Sequence, residues 1–179
     1  MSNTELTSWD DLDCDINLLR GIYAYGFETP STIQKKAIKP LLSGRDIIAQ
    51  AQSGTGKTGA FTIGTLGQIN LQENTTQAII LSPTRELSKQ IYNVLNDISR
   101  MMTGIRISLL VGGTVIEDDI VGLKNSPHIV VGCPGRINDM IRRRKLQTKT
   151  IKITVLDEAD EMLSKGFKEQ IYSIFHSLD

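Results

Sequence analysis

Eight consecutive residues, Ala51-Gln52-Ser53-Gly54-Thr55-Gly56-Lys57-Thr58, put two glycines, a lysine and a hydroxyl where they can hold a phosphate. Gly54 and Gly56 let the backbone curl so that successive N–H groups point inward at phosphate oxygens. A helix opening near Lys57 adds the positive end of its dipole. Lys57 then reaches the outer phosphates of a nucleoside triphosphate, and the Thr58 hydroxyl suits Mg²⁺. The run matches G-x-x-x-x-G-K-[ST] except at Ala51, where the pattern has glycine. By itself it could be a glycine-rich turn with an incidental lysine. A second group weighs against that: Asp157 and Glu158 follow the apolar run Ile151–Leu156. Asp157 suits Mg²⁺, directly or through water, because that ion takes oxygen ligands and keeps several waters. Glu158 can orient or deprotonate the water that attacks a γ-phosphate. An acidic pair after a strand is most often a solvated turn. Beside a phosphate loop on the same sheet edge, it reads as the second half of a nucleotide site.

Such groups need a scaffold that delivers them to one place. Short apolar runs, mostly β-branched, recur at Asp46–Gln50, Ala78–Ser82, Arg106–Val111, His128–Val131 and Ile151–Leu156, each meeting a turn at its C-terminal end. Helical patterns follow at about 57–70, 85–102, 115–124, 135–144 and 167–178. This alternation indicates βαβ units and an α/β fold in which helices cover both faces of a parallel sheet. Right-handed crossovers leave every strand C-terminus on one edge, where such sheets bind their ligands. Ser53–Thr58, Pro83–Glu86, Gly112–Gly113, Cys133–Arg136 and Asp157–Asp160 all lie at or just past that edge. Residues 1–45 read as a helical arm before the core at 46–179. In the arm, Thr29 or Ser31 can cap a helix, since proline is tolerated in a first turn.

At 179 residues the chain fits one domain. A domain of that size buries about 70% of its unfolded surface and needs no disulfide or metal to fold. Twenty basic side chains balance twenty acidic ones, which argues against gripping nucleic acid by bulk charge. Any such contact must be local and geometric. Cys14 and Cys133 lie far apart without metal-ligand spacing and read as reduced thiols. No basic stretch followed by an apolar one opens the chain, and no run approaches the ~18 apolar residues of a membrane span. The expectation is an intracellular soluble monomer without a membrane partner.

Asp157-Glu-Ala-Asp160 spells D-E-A-D, and with other segments in the right order the chain resembles the DEAD-box RNA helicases from about Trp9 onward. That resemblance implies a RecA-like phosphate-loop domain, ATP and Mg²⁺ as cofactors, and RNA-stimulated ATP hydrolysis with local unwinding. Gly26–Gln34 resembles the family's adenine-reading motif. A glutamine amide offers one donor and one acceptor, the complement of adenine's N6 and N7. Here that implies Gln34 as reader, Phe27 covering the base and Thr29 touching it, with Trp9 supporting the motif. Three further segments resemble the RNA-side motifs: Pro83-Thr84-Arg85, Gly112-Gly113-Thr114 and Cys133-Pro134-Gly135-Arg136. Each sets hydroxyls, an arginine or bare N–H groups at a helix start, where they grip sugar-phosphate without reading bases. Without the resemblance each would pass as an ordinary turn. The family has threonine where Cys133 stands, and a thiol donates only weakly, so contact there is expected to be weakened. Arg142–Lys145 could extend an RNA path, although cations at a helix end also suit its dipole, and that second reading is favoured.

Within the family, Leu18–Gly26, Ile48–Thr58 and Asp157–Leu163 are similar to the translation initiation factor 4A subfamily, with exon-junction and ribosome-biogenesis paralogues sharing much of the wording. This implies a cytoplasmic location, with a nuclear one as alternative, and an initiation scaffold protein as a possible partner. The resemblance also implies a second RecA-like domain carrying arginine fingers and half of the RNA cleft. It further implies a Ser-Ala-Thr strand pairing between the phosphate-loop strand and the carboxylate strand. Neither lies within 1–179, so the expectation is a fragment that binds adenine nucleotide or acts as a nucleotide-dependent docking module. Such a fragment hydrolyses little ATP.

Overall fold

A computed structural model describes residues 5–178. The first four residues of the expected arm, and Asp179, lie outside the described residues. The chain resolves into two compact units, one of residues up to 69 together with 93–103, the other of 70–92 and 104 onward.

The first unit is helical. After a 3₁₀ turn at Trp9–Asp11 come α1 (Ile16–Tyr25), α2 (Thr32–Leu42) and α3 (Lys57–Leu66). Asp15 caps α1 through Asn17 N–H, and Gly26 closes it in the left-handed conformation at φ 103°. Ser31 caps α2, and Gln34 answers with a bond back to the Ser31 N–H, a complete capping box. Helix α3 is buried from Gly59 to Leu66, which suits its apolar and small side chains all round. Its glycines admit α2 closely. A Cβ at Gly64 would stand 2.7 Å from Leu41 Cδ1, and one at Gly67 would stand 2.3 Å from Leu42 Cδ2.

Asp46–Gln50, expected as the first strand, forms no strand, and Ile48 is fully exposed. The run is apolar and β-branched, but a strand exists only through its ladder, and no described segment pairs with this one.

The second unit holds the sheet: β1 (Ala78–Leu81), β2 (Ile107–Leu110), β3 (Ile129–Gly132) and β4 (Ile153–Leu156), all parallel, in the order β2-β3-β1-β4. The central strands β1 and β3 are buried at every residue, as uninterrupted apolar runs should be. The edge strand β4 is half-buried throughout and, among the described residues, pairs with β1 alone. The helices α5 (Ile116–Lys124), α6 (Pro134–Arg142), α7 (Ala159–Ser164) and α8 (Lys168–His176) flank it, and α4 (Arg85–Ile98) begins just after β1. Their core with the sheet centres on Ile79, Leu81, Val130, Ile137, Met140 and Ile174.

At the N-terminal edge of the sheet, His128 is fully buried. Its Nδ1 accepts the Arg106 N–H at 3.1 Å, and Arg106 Nη2 lies 3.5 Å from Nε2. Burial first, and the Arg106 guanidinium second, hold this imidazole below its usual value of 6.5; the Glu73 backbone opposes them. The folded chain therefore binds this proton less readily than the unfolded chain does. The stability from keeping His128 neutral is complete above pH 6.5 and drains away as the pH falls toward the depressed folded value. Urea midpoints measured from pH 7.5 to 5 should fall, and His128→Asn, which keeps an acceptor for Arg106, should flatten that slope.

Candidate functional site

The expected nucleotide residues divide between the units. In the first, Gly54 and Gly56 have φ of 80° and 93°, so the phosphate loop curls through left-handed backbone as its glycines require. Gln52 to Thr55 are exposed, Ala51 is half-buried, and the Thr55 hydroxyl donates to Gln52 O at 2.6 Å. Helix α3 starts at Lys57 without a side-chain cap. Its first N–H groups thus face the loop uncapped, which is the arrangement that binds anions. Lys57 and Thr58 are half-buried in that first turn.

Gln34 is only 2% exposed, and its amide is already bonded. Its Oε1 accepts the Ser31 N–H at 2.8 Å, and its Nε2 donates to Gly56 O at 3.1 Å. The amide keeps one further N–H and one further lone pair. Gln34 therefore ties the start of α2 to the phosphate loop, a role its expected use as a base reader did not include. Phe27 stacks on Trp9 at 5.9 Å and meets Tyr25 edge-on at 4.8 Å. A Cβ at Gly59 would stand 2.8 Å from Gln34 Nε2 and 3.0 Å from Phe27 Cζ, so glycine in the first turn of α3 is what lets both approach. Thr29 is exposed just before Pro30 and makes no capping bond, that role going to Ser31.

In the second unit Asp157 is buried, and its N–H donates to Leu81 O at 2.9 Å, continuing the β1–β4 ladder one residue further. Glu158 then takes left-handed backbone at φ 54°. A non-glycine residue held there costs about 1–3 kcal/mol, the kind of strain that gathers at functional turns. The turn starts the short helix α7, which the sequence reading did not separate from the carboxylates.

The three expected RNA-side segments meet at one cleft of about 450 Å³. Pro83, Thr84, Arg85 and Glu86 line it from the start of α4, Gly112 from the end of β2, and Cys133, Gly135 and Arg136 from the start of α6; Phe167 completes it. Thr84 Oγ1 accepts the Leu87 N–H at 3.1 Å and so caps α4. Arg85 is exposed and lies over the glycine pair, where a Cβ at Gly113 would stand 2.4 Å from Arg85 Nη1. The exposed Arg85 side chain can swing aside, so it is the φ of 84° at Gly113 that calls for glycine. Pro134 is the first residue of α6, where its missing N–H costs nothing. Beneath Cys133, Ser82 and Ser88 share a 2.5 Å hydroxyl contact, and Ser88 Oγ lies 3.7 Å from Cys133 Sγ. Burial is the main reason that the Cys133 thiol is pushed above its usual range, so it stays a neutral thiol.

Arg136 does not present a free guanidinium. It forms an ion pair with Asp119 of α5, and it donates to Thr114 Oγ1 at 3.0 Å and to Thr114 O at 3.1 Å. Thr114 in turn donates to Val111 O at 2.9 Å. Arg136 is thus a strut fixing the Gly112–Thr114 turn to α6. Asp119, its anchor, gave no sequence signal, since it follows Glu117 and Asp118 on a helix start where acids are ordinary.

The family model described as DEAD/DEAH box helicase matches residues 31–179. Among curated relatives, the ATP-dependent RNA helicase eIF4A of Lodderomyces elongisporus is 54% identical over 170 residues, covering 95% of this chain and 43% of that protein. The ATP-dependent RNA helicase fal1 of Schizosaccharomyces pombe is 51% identical over 187 residues, covering 99% of this chain and 47% of that one. Among solved structures, a DEAD box protein from the hyperthermophile Methanococcus jannaschii superposes with a TM-score of 0.92 at 39% identity, covering 98% of this chain and 48% of that one. The structure of S. cerevisiae Dbp5 bound to RNA and ADP BeF3 gives a TM-score of 0.87 at 39% identity, covering 97% of this chain and 44% of that one. The chain spans less than half the length of the curated relatives it matches.

The Asp119–Arg136 pair, with both side chains 9% exposed, sets a stability test. Arg136→Gln strands a buried carboxylate and should cost about 3 kcal/mol, whereas Arg136→Met with Asp119→Leu should recover most of that loss. Urea unfolding of the two variants against the parent, at unchanged m-value, measures both.

Proposed function

We propose, for a chain that belongs to the DEAD/DEAH box helicase family, that it binds ATP and Mg²⁺ and holds RNA by its backbone, as the nucleotide-binding part of an RNA-stimulated ATPase that separates short duplexes. The observation that carries the nucleotide half is the uncapped start of α3 behind a loop held by Gln34. Lys57 supplies a cation at that helix start. The remaining N–H and lone pair of Gln34 suit an adenine edge, and Phe27, braced by Trp9, offers an apolar ring for a base. Thr58 and Asp157 carry oxygen donors of the kind Mg²⁺ takes, and the ion when bound would neutralise charge on the phosphates. Glu158, in its strained turn, is the candidate for orienting the attacking water.

On the RNA side, Thr84, Arg85, Gly112 and Gly135 line one cleft, with Cys133 and Arg136 in its wall. Groups of this kind suit sugar and phosphate and carry no base code. The Dbp5 structure with RNA and ADP BeF3 supports both ligands by likeness. The eIF4A relative favours a role in translation initiation and hence a cytoplasmic location, while fal1 at 51% keeps a paralogous, nuclear helicase as the second reading. A second RecA-like domain supplying arginine fingers, and a scaffold protein, complete the proposal for the whole protein. Such arginines contribute about 10³–10⁵ in rate, so this chain alone should show negligible RNA-stimulated hydrolysis.

Equilibrium titration with fluorescent ADP and ATP tests the nucleotide half. Lys57→Ala and Gln34→Ala should each weaken binding about tenfold or more, and GTP should compete poorly. Wild-type chain that stays folded yet binds no adenine nucleotide overturns the reading. On the RNA side, Cys133→Thr restores a strong hydroxyl donor and should tighten RNA binding about two- to tenfold in anisotropy titrations.

A further inference from the structure

We propose that the C-terminal end of α6, the loop after it and the C-terminal half of α8 form a second, sequence-independent contact for single-stranded RNA, with Arg142, Arg144, Lys145 and Lys149 for phosphates and Tyr172, backed by His176, as a stacking platform. Residues 142–152 hold six basic side chains and no acidic one. Outside that stretch the neutral chain has six more acidic than basic groups, so its positive charge is concentrated here.

The stretch is displayed on a fixed loop. Leu146 is 4% exposed within the core, the Thr148 hydroxyl donates to Ser177 O at 2.6 Å, and the Thr150 hydroxyl donates to Thr76 O at 2.8 Å. Arg143 pairs with Asp139 and Lys152 with Glu73. Arg142, Arg144, Lys145 and Lys149 are exposed and have no carboxylate partner among the described residues. Favouring the helix dipole accounts for a cation in the last turn of α6, and it does not reach Lys149. Arg144 also takes left-handed backbone at φ 57°, at a helix end where glycine would be unstrained.

The Thr148–Ser177 bond sets this loop against the end of α8, where His176 stacks with Tyr172 at 6.2 Å and 27°. Tyr172 is 73% exposed. An exposed, backed aromatic beside unpaired cations is the combination that holds single strands, rings stacking on bases while cations track phosphates. A protein partner would call for a broader apolar centre, and the apolar surface here is limited to Tyr172 and the edge of Phe175. Arginine further favours phosphate. The cleft lies toward the N-terminal ends of these helices, at Arg136 and Phe167, which along the helix axes is about 9 Å from Arg142 and about 7.5 Å from Tyr172. The site therefore goes beyond the cleft reading and stands on separate residues.

The experiment photocrosslinks this chain to uridine-rich RNA longer than the ~16 nucleotides of one single-strand site, maps the peptides by mass spectrometry, and titrates RNA binding across salt. Crosslinks are expected in the α8 peptide bearing Tyr172. Arg142→Gln with Arg144→Gln and Lys149→Gln should reduce the salt slope by about two. Tyr172→Leu should weaken binding about five- to a hundredfold while Tyr172→Phe retains it; circular dichroism confirms that these surface variants fold. Gly135→Asp, placed in open space in the cleft, should leave the α8 crosslinks intact. Crosslinks confined to cleft peptides, with an unchanged slope, overturn the second site. Crosslinks confined to α8 support it and overturn the cleft reading, and RNA that binds nowhere overturns both. Displacement of RNA by polyglutamate with no effect of Tyr172→Leu assigns the surface to an acidic protein segment and also overturns it.

Discussion

The parallel ladder around β1 and β3 fixes where chemistry can occur in the second unit. Leu81 pairs with Gly132 and with Leu156, and Leu110 pairs with Gly132, so all four strands end in one row. The residues that follow, Ser82, Val111, Cys133 and Asp157, leave the sheet together. Gly132 shows how tight that row is, since a Cβ there would stand 2.0 Å from Leu110 O. With that backbone packed, the turns beyond it have little freedom. Pro83–Arg85, Gly112–Thr114 and Cys133–Arg136 reach one cleft because the ladder leaves them no other edge.

In the first unit the corresponding constraint is close approach. Helix α3 carries Gly59, Gly64 and Gly67 where α2 and Phe27 press against it, and each position leaves no room for a methyl group. The apolar contact thereby gained sets the distance at which Gln34 meets Gly56 O. The phosphate loop is positioned by packing several residues away, and its own exposed side chains contribute little to holding it.

The α/β class and four of five strands were legible because they follow from periodicity and from turn signals at strand ends, while the grouping of Pro83–Arg85, Gly112–Thr114 and Cys133–Arg136 came from the family resemblance. Ala78–Leu81, Ile129–Gly132 and Ile153–Leu156 fall where β-branched runs placed them, within a residue or two. Asp46–Gln50 shows the limit of such a signal: its composition is that of a strand, yet pairing is a property of two segments. Pairwise commitments were equally hidden. Nothing in the order of residues says that Arg136 is held by Asp119, or that Gln34 donates its amide to Gly56 O. Both are single contacts between distant segments, decided by a few degrees of helix orientation. Glu158 was legible as chemistry and illegible as conformation, since propensity does not favour a glutamate at φ 54°.

The distribution of charge ties these observations together. A neutral chain cannot hold a polyanion by its overall field. In the cleft, the Arg136 guanidinium is matched by Asp119 and two bonds to Thr114, so its charge shapes the wall and adds little attraction. What remains there is Arg85 with Glu86 beside it, the Thr84 hydroxyl, and backbone at glycines and helix starts. Such donors hold a backbone by direction, work only once a strand lies in register, and depend weakly on salt. The unpaired cations stand instead at the C-terminal end of α6 and in the loop after it, where contact needs little register and falls steeply with salt. A surface of that second kind captures a strand from solution, and one of the first kind aligns it. On the proposed readings, keeping free arginines out of the cleft lets it stay selective for backbone geometry without the smear of binding modes that a cluster of them would bring.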